Sequence, residues 1–573
     1  MKLAKFAVMT SLMALSLGLS GCKTGPVEPA KVESKEWTAF AAKSLEEYFK
    51  LNPSFAVYQG RHEFDGQLAD WSAEGLQHKA ESLKNLIDDA EEFDATLLTK
   101  EQEFERRYLV QVAKGDLFWL EDADAPHRNV TWYFSNGLDP NTYVARPYAD
   151  AATRARAFIK YARAVPKALE QIKANLKTPM PHSFIDYAVP GFKGLASYYT
   201  TDAKAAFASA KDPALQAEFD AAAKDASTAM LAMADWMEGQ RKTATQDFAL
   251  GDEKFLRMLS DTEGVDTDIE TLVKIGQADL KRNQDALKSA CAEYAAGATI
   301  QDCMAKMNAA KGEGGPVAEA RRQLPELKAF LTSNDIVSIP GTEEALVEES
   351  PPYNRQNSAY IDIPGPYEKG LPSVYYISPP DPAWTPEQQN AFVPGKKDLL
   401  FTSVHEVWPG HFLNFLHSNR AKSLIGRVFY SYAFAEGWAH YAEEMMWDAG
   451  LLKGDAEAHI GQISNALLRN CRYLSAIGLH AQGMTLDQSR QMFLDQCYQD
   501  EGNARQQSAR GTYDPAYINY TMGKLLIRKL RDDWTKGDHS KWKAFHDQFL
   551  SYGNPTIPAV RGAMMGTGPE AVF

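Results

Sequence analysis

Apolar residues recur at i, i+3, i+4 and i+7 through most of this 573-residue chain, the spacing that lays one apolar stripe along an α-helix. KEWTAFAAKSLEEYFKLN, ADAATRARAFIKYARAVPKALEQIKANL, PALQAEFDAAAKDASTAMLAMADWMEGQ and DIETLVKIGQADLKRNQDALKSACAEYA all carry it. TLLTKEQEFERRYLVQVAKGDLFWLED predicts another helix, opened by Thr99 with Glu101 and Glu103 at the positive end of its dipole. Between about residues 334 and 378 the texture changes. NDIVSIPG, EALVEE, SAYIDIPG and PSVYYIS are short, β-rich and separated by Pro and Gly, which predicts a small sheet. Helical spacing resumes at TPEQQNAF and continues almost to the end. The expected fold is mainly α, a large helical bundle with a small β-sheet insertion.

Composition supports this reading and narrows the function. With 45% apolar residues there is ample core, and the net charge of -14 argues against nucleic acid as a partner. At the N-terminus, Lys2 and Lys5 precede a short apolar run ending in Leu19-Ser20-Gly21-Cys22. This predicts a signal peptide, too short for a stable membrane span. Its L-S-G-C ending resembles a bacterial lipobox, with Cys22 as the lipidated first residue of an exported cell-envelope lipoprotein. The expected organisation is a signal peptide at 1–21, a tether at 22–35, an N-terminal helical region at 36–330, a β-rich segment at 331–390 and a helical catalytic region at 391–573. In an oxidising compartment, Cys291 with Cys303 and Cys471 with Cys497 are expected to pair, each couple flanking a turn signal. Oligomeric state is not legible.

The chemistry concentrates in FTSVHEVWPGHFLNF. The familiar H-E-x-x-H places two zinc-binding histidines one helical turn apart. Here His405 and His411 are i and i+6, roughly 120° apart on an unbroken helix. Pro409 lacks an N–H and Gly410 tolerates unusual dihedrals. A two-residue bulge at this pair is expected to return His411 to the face of His405. Glu406 would then stand beside the metal as general base. Downstream, YSYAFAEGWAHYAEEMMWDAG carries Glu436 as third ligand, completing a catalytic donor set with a fourth position open. His440, one turn later, is a competing ligand, and Glu443 is a candidate to orient a histidine.

HEVWPGH followed by AEGWAHYAEEM resembles the bacterial family catalogued as domain of unknown function eight-eight-five, which is similar to the glutamate-zincin metallopeptidases. Most of the mature chain shares the likeness. LNPSFAVYQGRHEFDGQLADWS, LLRNCRYLSAIGLHAQGMTLDQS and RGTYDPAYINYTMGKLLIRKLR resemble further family segments. The resemblance implies a helical zincin with a central cleft, one zinc on His405, His411 and Glu436, and Glu406 as base. Ala476 and Pro515-Ala516 depart from the family pattern, which leaves the C-terminal roles less defined. Tyr517 or Tyr520 is expected to donate to an oxyanion, and Arg510 to hold a substrate carboxylate. His480 and the strand residues Tyr375 and Tyr376 are candidates to line the cleft, the strand serving either as a plain structural edge or as a partner for an extended peptide. Three functions follow: a zinc peptidase cutting short peptides, a zinc amidase acting on wall fragments, and a metal- or peptide-binding lipoprotein without catalysis.

Overall fold

The computed structural model describes residues 31–351, 355, 358–566 and 573; the signal peptide and Cys22 lie outside them. Helices dominate. In the first half, α1 (Lys35–Leu51), α2 (Lys100–Leu117), α3 (Ala151–Asn175), α4 (His182–Thr200) and α5 (Pro213–Gln240) bury their apolar stripes together. Thr99 caps α2, and the reciprocal bond comes from Gln102, so the start is a capping box rather than a purely acidic one. A second core contains Phe118 and Ala123 and then runs from Phe255 onward, taking in α6 (Ile269–Tyr294) and α7 (Ile300–Ala309). In the core, α6 therefore belongs with the later helices, although Ile425, Val428, Phe429 and Leu479 join the first cluster. The reason is packing: Gly276 of α6 admits the ring of Tyr473, whose hydroxyl donates to Leu272 O at 3.0 Å, tying α6 to the later helices.

Three strands follow, β1 (Ala345–Glu349), β2 (Ala359–Asp362) and β3 (Ser373–Ile377), in the order β1-β3-β2. β3 pairs parallel with β1 and antiparallel with β2. It is thus the central strand, with both edges occupied, and cannot accept a peptide by strand addition as the sequence suggested. Ser373, Tyr375 and Ile377 are buried while Val374 and Tyr376 face the other way. NDIVSIPG forms no strand. Its polar groups bond to helices instead: Asp547 accepts from Ser338 N–H at 2.7 Å, His546 Nδ1 meets Ile336 O at 2.8 Å, and His417 Nε2 meets Ser338 O at 2.8 Å.

The later helices that frame the site are α8 (Lys396–Glu406), α9 (His411–Ser418), α10 (Tyr432–Asp448), α11 (Ala456–Ala481), α12 (Leu486–Asp495), α13 (Glu501–Tyr513), α14 (Asn519–Thr535) and α15 (Trp542–Leu550). α10 and α14 approach so closely that a Cβ on Gly437 would stand 2.5 Å from Gly523 Cα. Glycine is required there because the two backbones touch. Disulfides join Cys291 to Cys303 across α6 and α7, and Cys471 of α11 to Cys497 just past α12, with Cα separations of 5.8 and 6.3 Å. Among the described residues no helix is long and apolar enough to cross a membrane.

Candidate metal centre

α8 stops at Glu406, and Val407 leaves the helical region at φ -123°, ψ -74°. The Trp408–Pro409 peptide is cis, and α9 begins afresh at His411. The expected bulge is therefore a complete break between two helices. Three contacts hold it. Gly410 N–H donates to Val404 O at 2.9 Å, Val407 N–H to Ser403 O at 3.0 Å, and the indole N–H of Trp438 on α10 to Pro409 O at 2.8 Å. A Cβ on Gly410 would overlap the His405 carbonyl, so only glycine lets the turn fold back this tightly.

The break brings the two imidazoles together, their rings 4.8 Å apart and nearly perpendicular. Glu436, from the second turn of α10, places Oε2 3.3 Å from both Nε2 atoms. These three residues form a group whose donor atoms could hold one metal ion. Two observations test the fit. A tetrahedral ion with bonds of about 2.0–2.1 Å has donor–donor edges of about 3.3–3.4 Å, and both Glu436 distances match. Glu436 Oε2 is also buried without a hydrogen bond, a costly state unless a cation satisfies it. Two nitrogens and one oxygen are the donor set of a catalytic zinc site.

Behind the ligands lies a charged support. Glu443, fully buried on α10, accepts from His405 Nδ1 at 2.8 Å and pairs with Arg469 of α11 at 3.2 Å. This bond fixes the His405 tautomer and leaves Nε2 facing Glu436. Burial alone would lower His405, but Glu436 and Glu443 outweigh it and draw its pKa up to about 9. For Glu436, burial acts upward; His411 and His405 nonetheless hold it well below the carboxylate range. His440 is not among the converging donors: it is fully buried, with Nδ1 3.5 Å from Glu443 Oε2. Its Nδ1 is directed at the Glu443 carboxylate instead. Glu406 is buried at the end of α8, and burial raises its pKa, as suits a base.

The other sequence candidates separate. Tyr520 of α14 lies parallel to His405, ring centroids 6.4 Å apart. Tyr517 is fully buried with its hydroxyl against Gly511, where a Cβ would overlap it, so it serves packing. Arg510 is engaged by Asp514 at 2.9 Å and by the Tyr432 hydroxyl at 2.9 Å. His480 spends both ring nitrogens on backbone, meeting Gly511 O at 2.7 Å and accepting from Leu250 N–H at 3.3 Å, and burial takes it down to about 4. It offers nothing to a substrate. Tyr375 is fully buried near Ser403 and Glu406, so the inner face of β3 backs onto α8 rather than lining an open cleft. Tyr376, on the opposite face, stacks on Tyr360 at 5.1 Å. Sequence reasoning missed Arg469, Arg472 and Tyr432. Arg472 lies in LLRNCRYLSAIGLHAQGMTLDQS, and that segment's likeness to the family is the one signal that pointed to it.

A family model described as "Bacterial protein of unknown function (DUF885)" matches residues 53–564. The chain belongs to that family. Among solved structures it resembles a candidate lipoprotein of unknown function from Shewanella oneidensis, with TM-score 0.76, 22% identity, and coverage of 93% of this chain and 100% of the other. A candidate lipoprotein from Colwellia psychrerythraea gives TM-score 0.75 and 15% identity over 92% and 97% of the two chains. Both likenesses are of fold. A Pyrococcus furiosus carboxypeptidase aligns over 94% of this chain and 97% of its own at 10% identity and TM-score 0.39, too remote to bear on function. No curated protein matches.

Proposed function

We propose that this member of the family is a metal-dependent hydrolase cutting amide bonds in short peptides, tethered to the cell envelope through a lipidated Cys22. The carrying observation is the convergence of buried His405 with half-buried His411 and Glu436 beside the carboxylate of Glu406. A divalent ion, zinc by donor chemistry, would be held by these three residues and would supply Lewis acidity toward a carbonyl and toward water. The chain's own groups do the rest. Glu406 takes the proton of the attacking water and delivers it to the leaving amine. The Tyr520 hydroxyl steadies negative charge that develops on the carbonyl oxygen. Glu443 and Arg469 keep His405 in place.

A second reading is a lipoprotein whose metal site binds without catalysis. The names of the Shewanella and Colwellia relatives say only that each is a candidate lipoprotein, which supports export and membrane anchoring. Hydrolysis of a mixed peptide library, with and without chelator, by wild-type protein and Glu406→Gln separates the two. Chelator-sensitive cleavage lost in Glu406→Gln supports the hydrolase. Stoichiometric metal with no cleavage of any peptide or wall-fragment amide leaves the binding protein.

A further inference from the structure

Three arginines gather round one ring beside the metal ligands. The guanidinium carbons of Arg469, Arg472 and Arg510 lie 5.8, 4.8 and 5.8 Å from the Tyr520 ring centroid. Two of them have carboxylates: Arg469 pairs with Glu443 at 3.2 Å and Arg510 with Asp514 at 2.9 Å. Arg472 has none. It is only 9% exposed, and among the described residues its one hydrogen bond runs from Nε to Gln507 Oε1 at 2.8 Å. Burial, and then the neighbouring Arg510, bring its pKa down to about 10. An unpaired, nine-tenths-buried guanidinium is costly to keep, because buried charge ordinarily finds a partner. The planar fork of an arginine fits a carboxylate with two parallel N–H donors, and both Nη groups of Arg472 remain for such a partner.

We propose that Arg472 receives the free C-terminal carboxylate of the substrate, making the protein an exopeptidase that trims peptides from their C-terminal end. This rests on the hydrolase reading and names its substrate class. The spacing suits it. Tyr520 is 4.8 Å from Arg472 and 6.4 Å from His405, so guanidinium and metal ligand are at most about 11 Å apart, which about three extended residues span. One to three residues fit between the bond cut and the anchored terminus. Hydrolysis breaks the C–N bond; the acyl carbon gains the hydroxyl of water, and the amine leaves with the proton. Tyr432 and Asp514 fix Arg510, so the task falls to Arg472 rather than to Arg510, the arginine the sequence suggested.

The test compares one peptide with a free C-terminus, the same peptide as C-terminal carboxamide, and an amidated peptide ending in Glu. Each is assayed for cleavage by metal-loaded full-length protein and for binding by calorimetry to the metal-free protein. The free acid should be cut on the order of 10- to 100-fold more efficiently than either amide, the worth of a charged hydrogen-bonded pair. Product masses should show loss of one to three C-terminal residues. Arg472→Met should erase the preference by lowering turnover of the acid alone, and Arg472→Lys should restore part of it. Equal cleavage of acid and amide overturns the inference and leaves the hydrolase reading intact. So does equal use of the amidated Glu peptide, since a side-chain carboxylate would then serve. If no peptide is cut, tighter binding of the acid that disappears in Arg472→Met upholds the carboxylate site while the hydrolase reading falls. If Arg472→Met does not fold, the wild-type preference decides.

Discussion

At the residue scale, function turns on Glu406 and on what holds His405. Glu406→Gln preserves shape and removes the base, so it should keep its metal and lose about 10²- to 10⁴-fold in turnover; steady-state kinetics with elemental analysis on the same sample check this. Glu443→Gln leaves His405 Nδ1 without its buried carboxylate, and metal affinity should fall about 10- to 100-fold, read by competition with a chromophoric chelator. Tyr520→Phe should lower kcat more than it raises KM, while Tyr517→Phe should change neither, because its hydroxyl lies against Gly511. The convergence of His405, His411 and Glu436 was legible in the sequence because their residue types and order carry the chemistry. Arg472 and Arg469 were not: an arginine on a helix reads as a solvated face until the fold shows which carboxylate it has or lacks. His480 was misread for the converse reason, since nothing in the chain announces that Gly511 O and Leu250 N–H will claim its ring.

At the scale of elements, the site is a joint between helix ends. The late spacing of His405 and His411 works because α8 ends, the chain turns through Pro409 and Gly410, and α9 starts again under the indole of Trp438. Gly410→Ala puts a methyl on the His405 carbonyl and should reduce metal affinity with little change in helix content; circular dichroism beside a metal titration would show both. Gly437→Ala wedges α10 from α14 where the backbones meet and should cost about 1–3 kcal/mol of stability, seen as a lowered Tm. Pattern revealed these helices well, since a 3.6-residue period survives in any long amphipathic segment. It failed at NDIVSIPG, whose β-rich composition is met by Asp547, His546 and His417 rather than by a strand. Strand order was equally invisible, and β3 proved central because of partners distant in sequence.

At the scale of the whole molecule, a buried ionic layer ties α6, α10 and α14 together. Lys524, fully buried, bonds Asp279 at 2.7 Å, and Arg282 and Arg528 reach Glu444 at 2.7 and 3.0 Å. Burial pushes both carboxylates up, yet these cations hold Asp279 far below its usual range and Glu444 down to about 2. Folded values below unfolded ones contribute stability at pH above about 4–4.5 that is lost as pH falls toward 2. Acid unfolding monitored by fluorescence should begin in that window, and Lys524→Met, which strands Asp279, should cost about 3–5 kcal/mol. That α6 packs with the later helices lay beyond the sequence, because it reads like the helices before it and is claimed by Tyr473, far along the chain. The proposed function requires one divalent ion on His405, His411 and Glu436. Calorimetric titration of metal-stripped protein with zinc tests it most directly. Wild type should bind about one ion per chain, and Glu436→Gln, His405→Ala and His411→Ala should each lose that binding while remaining folded; full stoichiometry and affinity in all three variants would contradict it.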